Sequence, residues 1–510
     1  MAVIAVLQRL VIPVILLAAV IGAGIAADRL GNDPLPEATT GVDVQQPDTP
    51  VFSIRRAPDL LTSERAVEEL NSSLDGWVAS LPPNSCFVVS SGAEVIYSHQ
   101  ADLPLTPASN MKLLTAVAAL QALGTDYTFD TRVAALQLPD ENGFLNGDLY
   151  LIGGGDPLLR SDAYLALLPD GYSDIHTSVE QMADQTVATN IADISGGVRV
   201  DESRYDNERA PLSVGTDLLD AALLGSLGAG IVDEGFIGLE DGYASQIVEA
   251  PEPGAVDENG NPIPTPDPPP LPRADEPARE FAARFDDLLE ARNVRISGRA
   301  DVSPDTPTDQ LVDLFTISSP PLAQIVEQML TNSDNTTAEL LVKELGFTAS
   351  ENGTTTAGTL ALTDVLRGAG LNDAGLFALD GSGLSDGNRA TCTVIHDALN
   401  SVHRNTLRDS LPVAGESGTL IDDFVNTPGE GRIIAKTGFL STASALSGYY
   451  TTDRGVELTF SLIINAAEGE TISPDQVAGW QRPLPRLLAP YPSGPGIDEL
   501  GPVGVTLDGG

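Results

Sequence analysis

Lysine is almost missing from this chain: three of 510 residues, with arginine making up the other 24 of the 27 basic positions. Against 72 acidic residues this leaves a formal net charge of -45, which would repel a phosphate backbone and excludes nucleic acid as a partner. The acidity otherwise reads as a well-solvated surface. Cysteine occurs only as Cys86 and Cys392, and histidine only as His99, His176, His396 and His403. No cysteine pair has zinc-like spacing and no H-E-x-x-H is present, so no metal site is expected. In an oxidising compartment the two cysteines permit either one disulfide or two buried thiols. G-x-G-x-x-G and G-K-[ST] are absent. That removes the nucleotide loops; Gly153-Gly154-Gly155-Asp156 does not replace them, and no cofactor is expected.

What is present can fold. With 42% hydrophobic and 19% charged residues the chain can build cores, and its length suggests about three domains. Arg9 precedes an apolar run from Leu10 to Ala27, and Gly24-Ile25-Ala26 offers small residues at cleavage spacing. Residues 1–27 therefore read as a signal peptide or a membrane anchor, a possible tether, and the rest as exported to the cell envelope. Residues 28–60, rich in Asp, Pro and Thr, read as a disordered linker, and 496–510 as a flexible tail. A first helix is expected over Thr62–Leu81, a hairpin over Cys86–Tyr97, and a helix from Ser109 to Leu123 stopped by Gly124. From about 139 to 300 short strands alternate with acidic loops, and Pro251–Pro277 reads as an extended segment. A long helix over Pro321–Leu345 and three antiparallel strands (Gly431–Lys436, Ser444–Thr451, Val456–Asn465) precede a closing helix over Asp475–Leu488.

Two of the rare lysines stand where an amine does chemistry. Lys112 ends Ser109-Asn110-Met111-Lys112 and Lys436 opens Lys436-Thr437-Gly438, with Ser333-Asp334-Asn335 between them. Three residues apart on a helix, Ser109 and Lys112 share one face. A serine hydroxyl attacks well only when a base takes its proton, and a lysine serves if burial and a second cation lower its pKa. Ser333 can relay a proton, and Asn335 can orient Lys112 and hold a substrate amide. Lys436 and Thr437 can bind a carboxylate, Gly438 permits close approach, and backbone N–H groups of Ser109 and Phe439 can hold an oxyanion. Each motif alone is weak; the order in so lysine-poor a chain is not. The third lysine, Lys343, has no motif and is expected to be a solvated helix residue.

These motifs, together with Leu149–Pro157, Asp380-Gly381-Ser382-Gly383-Leu384-Ser385 and Leu411–Gly415, resemble the penicillin-binding protein 4 type of D-alanyl-D-alanine carboxypeptidase/endopeptidase. The 224 positions from Ser109 to Ser333 fit that family, whose extra domains lie there. The resemblance implies an α+β, β-lactamase/transpeptidase-like catalytic domain, with an antiparallel sheet flanked by helices, over 61–138 and 301–495. A mostly β insertion would fill 139–300, its nested lobe reduced at Gly242–Ala274. It further implies an acyl-enzyme on Ser109, peptidoglycan stem peptides as substrate, and β-lactam antibiotics as inhibitors. Asp156 would receive the diaminopimelyl amine, unless it is a turn carboxylate before Pro157. A β-lactamase and a catalytically idle wall-binding protein are the alternatives.

Overall fold

The computed structural model describes residues 58–168, 175–237 and 271–492. The expected leader, most of the linker, the core of the proline-rich segment with its nested lobe, and the tail lie outside them. The first helix, α1 (Pro58–Val78), starts four residues earlier than expected, because proline in a first turn forfeits no helical hydrogen bond. It is followed by the hairpin β1 (Ser85–Ser91) and β2 (Glu94–His99), then by α2 (Met111–Leu123). Met111 to Leu120 are all buried, so α2 is covered around its whole circumference and runs through the core. Gly124, at φ 90°, ends it by donating its N–H to Leu120 O.

The chain then leaves for an insertion: β3 (Asp130–Ala135), β4 (Leu149–Ile152), α3 (Val179–Ala188), β5 (Val198–Asp201), α4 (Pro277–Glu290), β6 (Asp301–Val302) and β7 (Val312–Ser318). The strands form one sheet in the order β6-β5-β4-β3-β7, parallel along β4-β5-β6 and antiparallel at β3. Two expectations are corrected here. The lobe is not mostly β, because Val179, Met182 and Ala183 of α3 and Phe281, Ala282 and Phe285 of α4 fill its core against Val133, Leu151 and Val200. Its edges also fall near 130 and 318 rather than 139 and 300, since the lobe takes its strands β3 and β7 from sequence assigned to the catalytic domain.

After β7 come α5 (Leu322–Asn332), α6 (Asn335–Ser350), α7 (Thr355–Gly368), α8 (Cys392–Leu399) and α9 (Arg404–Ser410). Strands β8 (Ile433–Leu440), β9 (Ala443–Thr451) and β10 (Glu457–Asn465) follow, then α10 (Pro474–Gln481) and α11 (Leu484–Leu488). The single helix expected over Pro321–Leu345 is two: Ser333 takes φ 60° and ends α5, and the Asp334 carboxylate accepts from Thr337 N–H to start α6. The closing helix likewise breaks around Pro483. The main sheet runs β8-β9-β10-β1-β2, antiparallel throughout, so the first and last parts of the chain pair side by side. On one face α2 packs with α5, α6 and α8; on the other, Leu74 and Trp77 of α1 and Leu484 and Leu488 of α11 meet Phe87 and Phe460. Each fully buried leucine in these layers contributes roughly 2 kcal/mol. Cys86 in β1 and Cys392 at the start of α8 form a disulfide, tying sheet to helix layer. Among the described residues no helix is long and apolar enough to cross a membrane.

Candidate active site

The three motifs meet where α2 enters the core. Ala108, just before Ser109, has φ 47°, a left-handed conformation that costs a residue with a Cβ about 1–2 kcal/mol. The turn is held from both sides. Gly383 lies so close to the Ala108 carbonyl that no side chain would fit. A Cβ on Gly438 would stand 3.1 Å from Ser109 N, so the glycine lets edge strand β8 lie directly against the half-buried serine.

Lys112 is buried, and its Nζ has three partners: Ser109 Oγ at 3.1 Å, Asn335 Oδ1 at 2.6 Å and the Ser382 carbonyl at 2.7 Å. The last two can only accept. A neutral amine bonded to both has spent its two N–H groups, so its lone pair faces the serine hydroxyl. Burial brings the Lys112 amine down to about 8, against the opposing pull of Glu339, Asp380 and Asp334. Lys436, buried on β8, donates to Ser333 Oγ at 2.8 Å and to Thr437 O at 3.0 Å. Burial, reinforced by the charge of Lys112, holds the Lys436 amine well below the usual lysine range. The left-handed break at Ser333 turns its hydroxyl toward β8, while Asn335 opens α6 facing Lys112. The Asn335 Nδ2 donates to the Leu223 carbonyl of the insertion at 2.5 Å. Thr437 Oγ1 lies 3.0 Å from Thr419 Oγ1, and the Phe439 side chain is exposed. A cavity of about 300 Å³ follows this strand, lined by Thr419, Phe424, Thr437, Gly438, Phe439 and Gln481 among others.

One site expectation changes, that for Lys343, and Asp156 falls in a turn. Asp156 is buried, with Oδ1 accepting from Leu158 N–H at 2.9 Å and Oδ2 from Thr177 Oγ1 at 2.6 Å. Burial pushes its carboxyl up to about 6. Each oxygen thus accepts one hydrogen bond from the chain itself, as a turn carboxylate does, and keeps a further lone pair. Lys343 is fully buried, not solvated, and pairs with Asp206 of the insertion. Sequence reading also missed the second lysine acceptor, because a backbone carbonyl has no residue identity. The signal available was the Asp380–Ser385 motif itself, whose loop delivers the Ser382 carbonyl.

The chain is 32% identical over 432 residues to a D-alanyl-D-alanine carboxypeptidase of Actinomadura sp. (strain R39), covering 74% of this chain and 76% of that relative. It is 28% identical over 389 residues to Carboxypeptidase DacB of Mycolicibacterium smegmatis, covering 74% of each. The fold matches a crystal structure of penicillin binding protein 4 from Haemophilus influenzae with a TM-score of 0.65 and 20% identity, over 81% of this chain and 99% of that one. The expected α+β class and the expected family both hold. The sequence profile of the D-Ala-D-Ala carboxypeptidase 3 (S13) family matches residues 84–246 and 259–484, and on that span the chain belongs to this family as a serine-type carboxypeptidase.

Proposed function

We propose that this D-Ala-D-Ala carboxypeptidase is exported and works through an acyl-enzyme on Ser109. Lys112, neutral, takes the Ser109 proton as Oγ attacks the carbonyl between the two D-alanines of a peptidoglycan stem. The oxyanion rests on the N–H groups of Ser109 and Phe439. Ser333, hydrogen-bonded to Lys436, passes a proton to the leaving amine, and the terminal carboxylate binds beside Lys436 and Thr437. Asn335 orients Lys112 and contacts the substrate amide once the Leu223 carbonyl yields. Water then releases the acyl group by the same steps in reverse order. Penicillins acylate the same serine, and D-Ala-diaminopimelate cross-links are a second substrate of the same chemistry. The diaminopimelyl-amine role for Asp156 belongs to this reading, since each of its oxygens accepts one bond from the chain and keeps a second lone pair.

The observation that carries this reading is the Lys112 geometry: two obligate acceptors leave the lone pair aimed at Ser109 Oγ. Incubation with purified sacculi and with a D-Ala-D-Ala pentapeptide mimic tests it. Free D-Ala is expected from the mimic, and none from the Ser109→Ala variant. D-Ala release by that variant would remove the serine from the mechanism, and absence of cleaved dimers from sacculi would remove the cross-link activity.

A further inference from the structure

We propose that Glu339 is a positioning residue for the base. Its carboxylate holds the 380–385 loop so that the Ser382 carbonyl accepts one N–H of Lys112, and when ionised it sets a negative charge beside that amine. The proposal rests on the reading of Lys112 as the base for Ser109.

Glu339 follows Asn335 by four residues on α6, so both side chains leave the same face of the helix one turn apart. Asn335 meets Lys112 directly, at 2.6 Å. Glu339 reaches the same lysine through the loop. Its Oε1 accepts from Gly381 N–H at 3.1 Å and from Ser382 N–H at 2.7 Å, and its Oε2 accepts from Gly381 N–H at 3.2 Å. The carbonyl of the same Ser382 accepts from Lys112 Nζ at 2.7 Å. From the other side Thr115 of α2 donates to Gly381 O at 2.7 Å. Asp380 braces the loop from within, accepting from Gly383 N–H, Ser385 N–H and Asn388 Nδ2 at 2.9, 2.6 and 2.6 Å.

Glu339 and Asp380 are both fully buried, and no arginine or lysine forms an ion pair with either among the described residues. Burying two neighbouring carboxylates is unfavourable unless their charge is used. The backbone N–H groups turned to Glu339 need an acceptor-only group; an amide would set its own NH2 against one of them. The charged groups around the Lys112 amine are Glu339 of α6, Asp380 of the loop, Asp334 before α6, and Lys436 of β8. Of the three carboxylates, Glu339 does most to keep that amine protonatable against burial. Burial and then the Asp380 charge push the Glu339 carboxyl up to about 7.

Glu339→Gln removes the charge and disturbs the loop. Without the charge the amine loses its proton more easily, so the acid limb of acylation moves to lower pH, while the plateau falls about 10²-fold because the lysine is misplaced. Glu339→Asp keeps the charge but shortens the reach, so its plateau falls while the limb stays. A merely structural contact would lower the plateau in both and move neither limb. The experiment is the second-order rate of labelling by a fluorescent penicillin across about pH 5–10, on the full chain, for wild type, Glu339→Gln, Glu339→Asp and Ser109→Ala. An unmoved limb in Glu339→Gln, or wild-type labelling, overturns the proposal. If the glutamine variant does not fold, the aspartate variant decides, since a wild-type plateau there overturns it as well. Labelling of Ser109→Ala would overturn the underlying assignment of the nucleophile instead.

Discussion

On the proposed mechanism the buried Lys112 amine must be neutral to act, which makes the site sensitive to both mutation and pH. In Lys112→Ala the hydroxyl of Ser109 keeps no base, and the rate of penicillin acylation is expected to fall by about 10²–10⁴-fold; stopped-flow labelling at one pH measures it. In the wild type the acid limb follows the lysine. Its folded pKa is lowered, to about 8, so the neutral base is present above that pH and acylation falls as pH drops through it. A limb near the ordinary lysine value would mean that burial does not act on this group. That the three motifs would meet was legible because their residue types and order are unusual in so lysine-poor a chain. Lys343 was not: helical position says nothing about which part of the chain will cover a residue, and here the insertion does so with Asp206. Asp156 was read through a shared motif, which marks a place in the fold and leaves open whether the carboxylate faces a ligand or its own turn.

At the scale of elements, the site depends on backbones passing closely. Gly438 places β8 against Ser109 N, and the Ser333 break sets the Ser333 hydroxyl against Lys436 and Asn335 against Lys112. Gly438→Val is expected to leave the melting temperature within a few degrees of wild type while reducing acylation by about 10²-fold or more, since a 1 Å shift of the serine suffices. Equal losses of stability and activity would show that the glycine serves packing alone. The sheet strands and α2 were readable from period and from the Gly124 stop. The S-D-N break was not, because Ser333 adopts a left-handed conformation that its own type does not announce. The true edges of the insertion were hidden for a similar reason. β3 and β7 have the same texture as catalytic-domain strands, and only their pairing to each other assigns them to the lobe.

Across the whole molecule, the insertion is fastened to the catalytic motifs by buried charge. Arg160, fully buried in the insertion, pairs with Glu234 at 2.9 Å and with Asp334 of the S-D-N motif at 3.2 Å. Arg204 and Tyr205 similarly meet Glu344 of α6. Arg160→Ala leaves two buried carboxylates unmatched and is expected to cost about 3–5 kcal/mol, read as a lowered denaturation midpoint. A loss under about 1 kcal/mol would show that the lobe is only loosely joined. The family was legible from the spacing of its motifs, whereas this coupling, made between residues far apart in sequence, was not. The central claim is that Ser109 becomes acylated with Lys112 as its base. Mass spectrometry of the intact protein after penicillin treatment, followed by peptide mapping, tests it most directly. One adduct is predicted, on the peptide carrying Ser109, and none in Lys112→Ala over the same interval. An adduct on another residue, or unchanged labelling in that variant, would contradict the account.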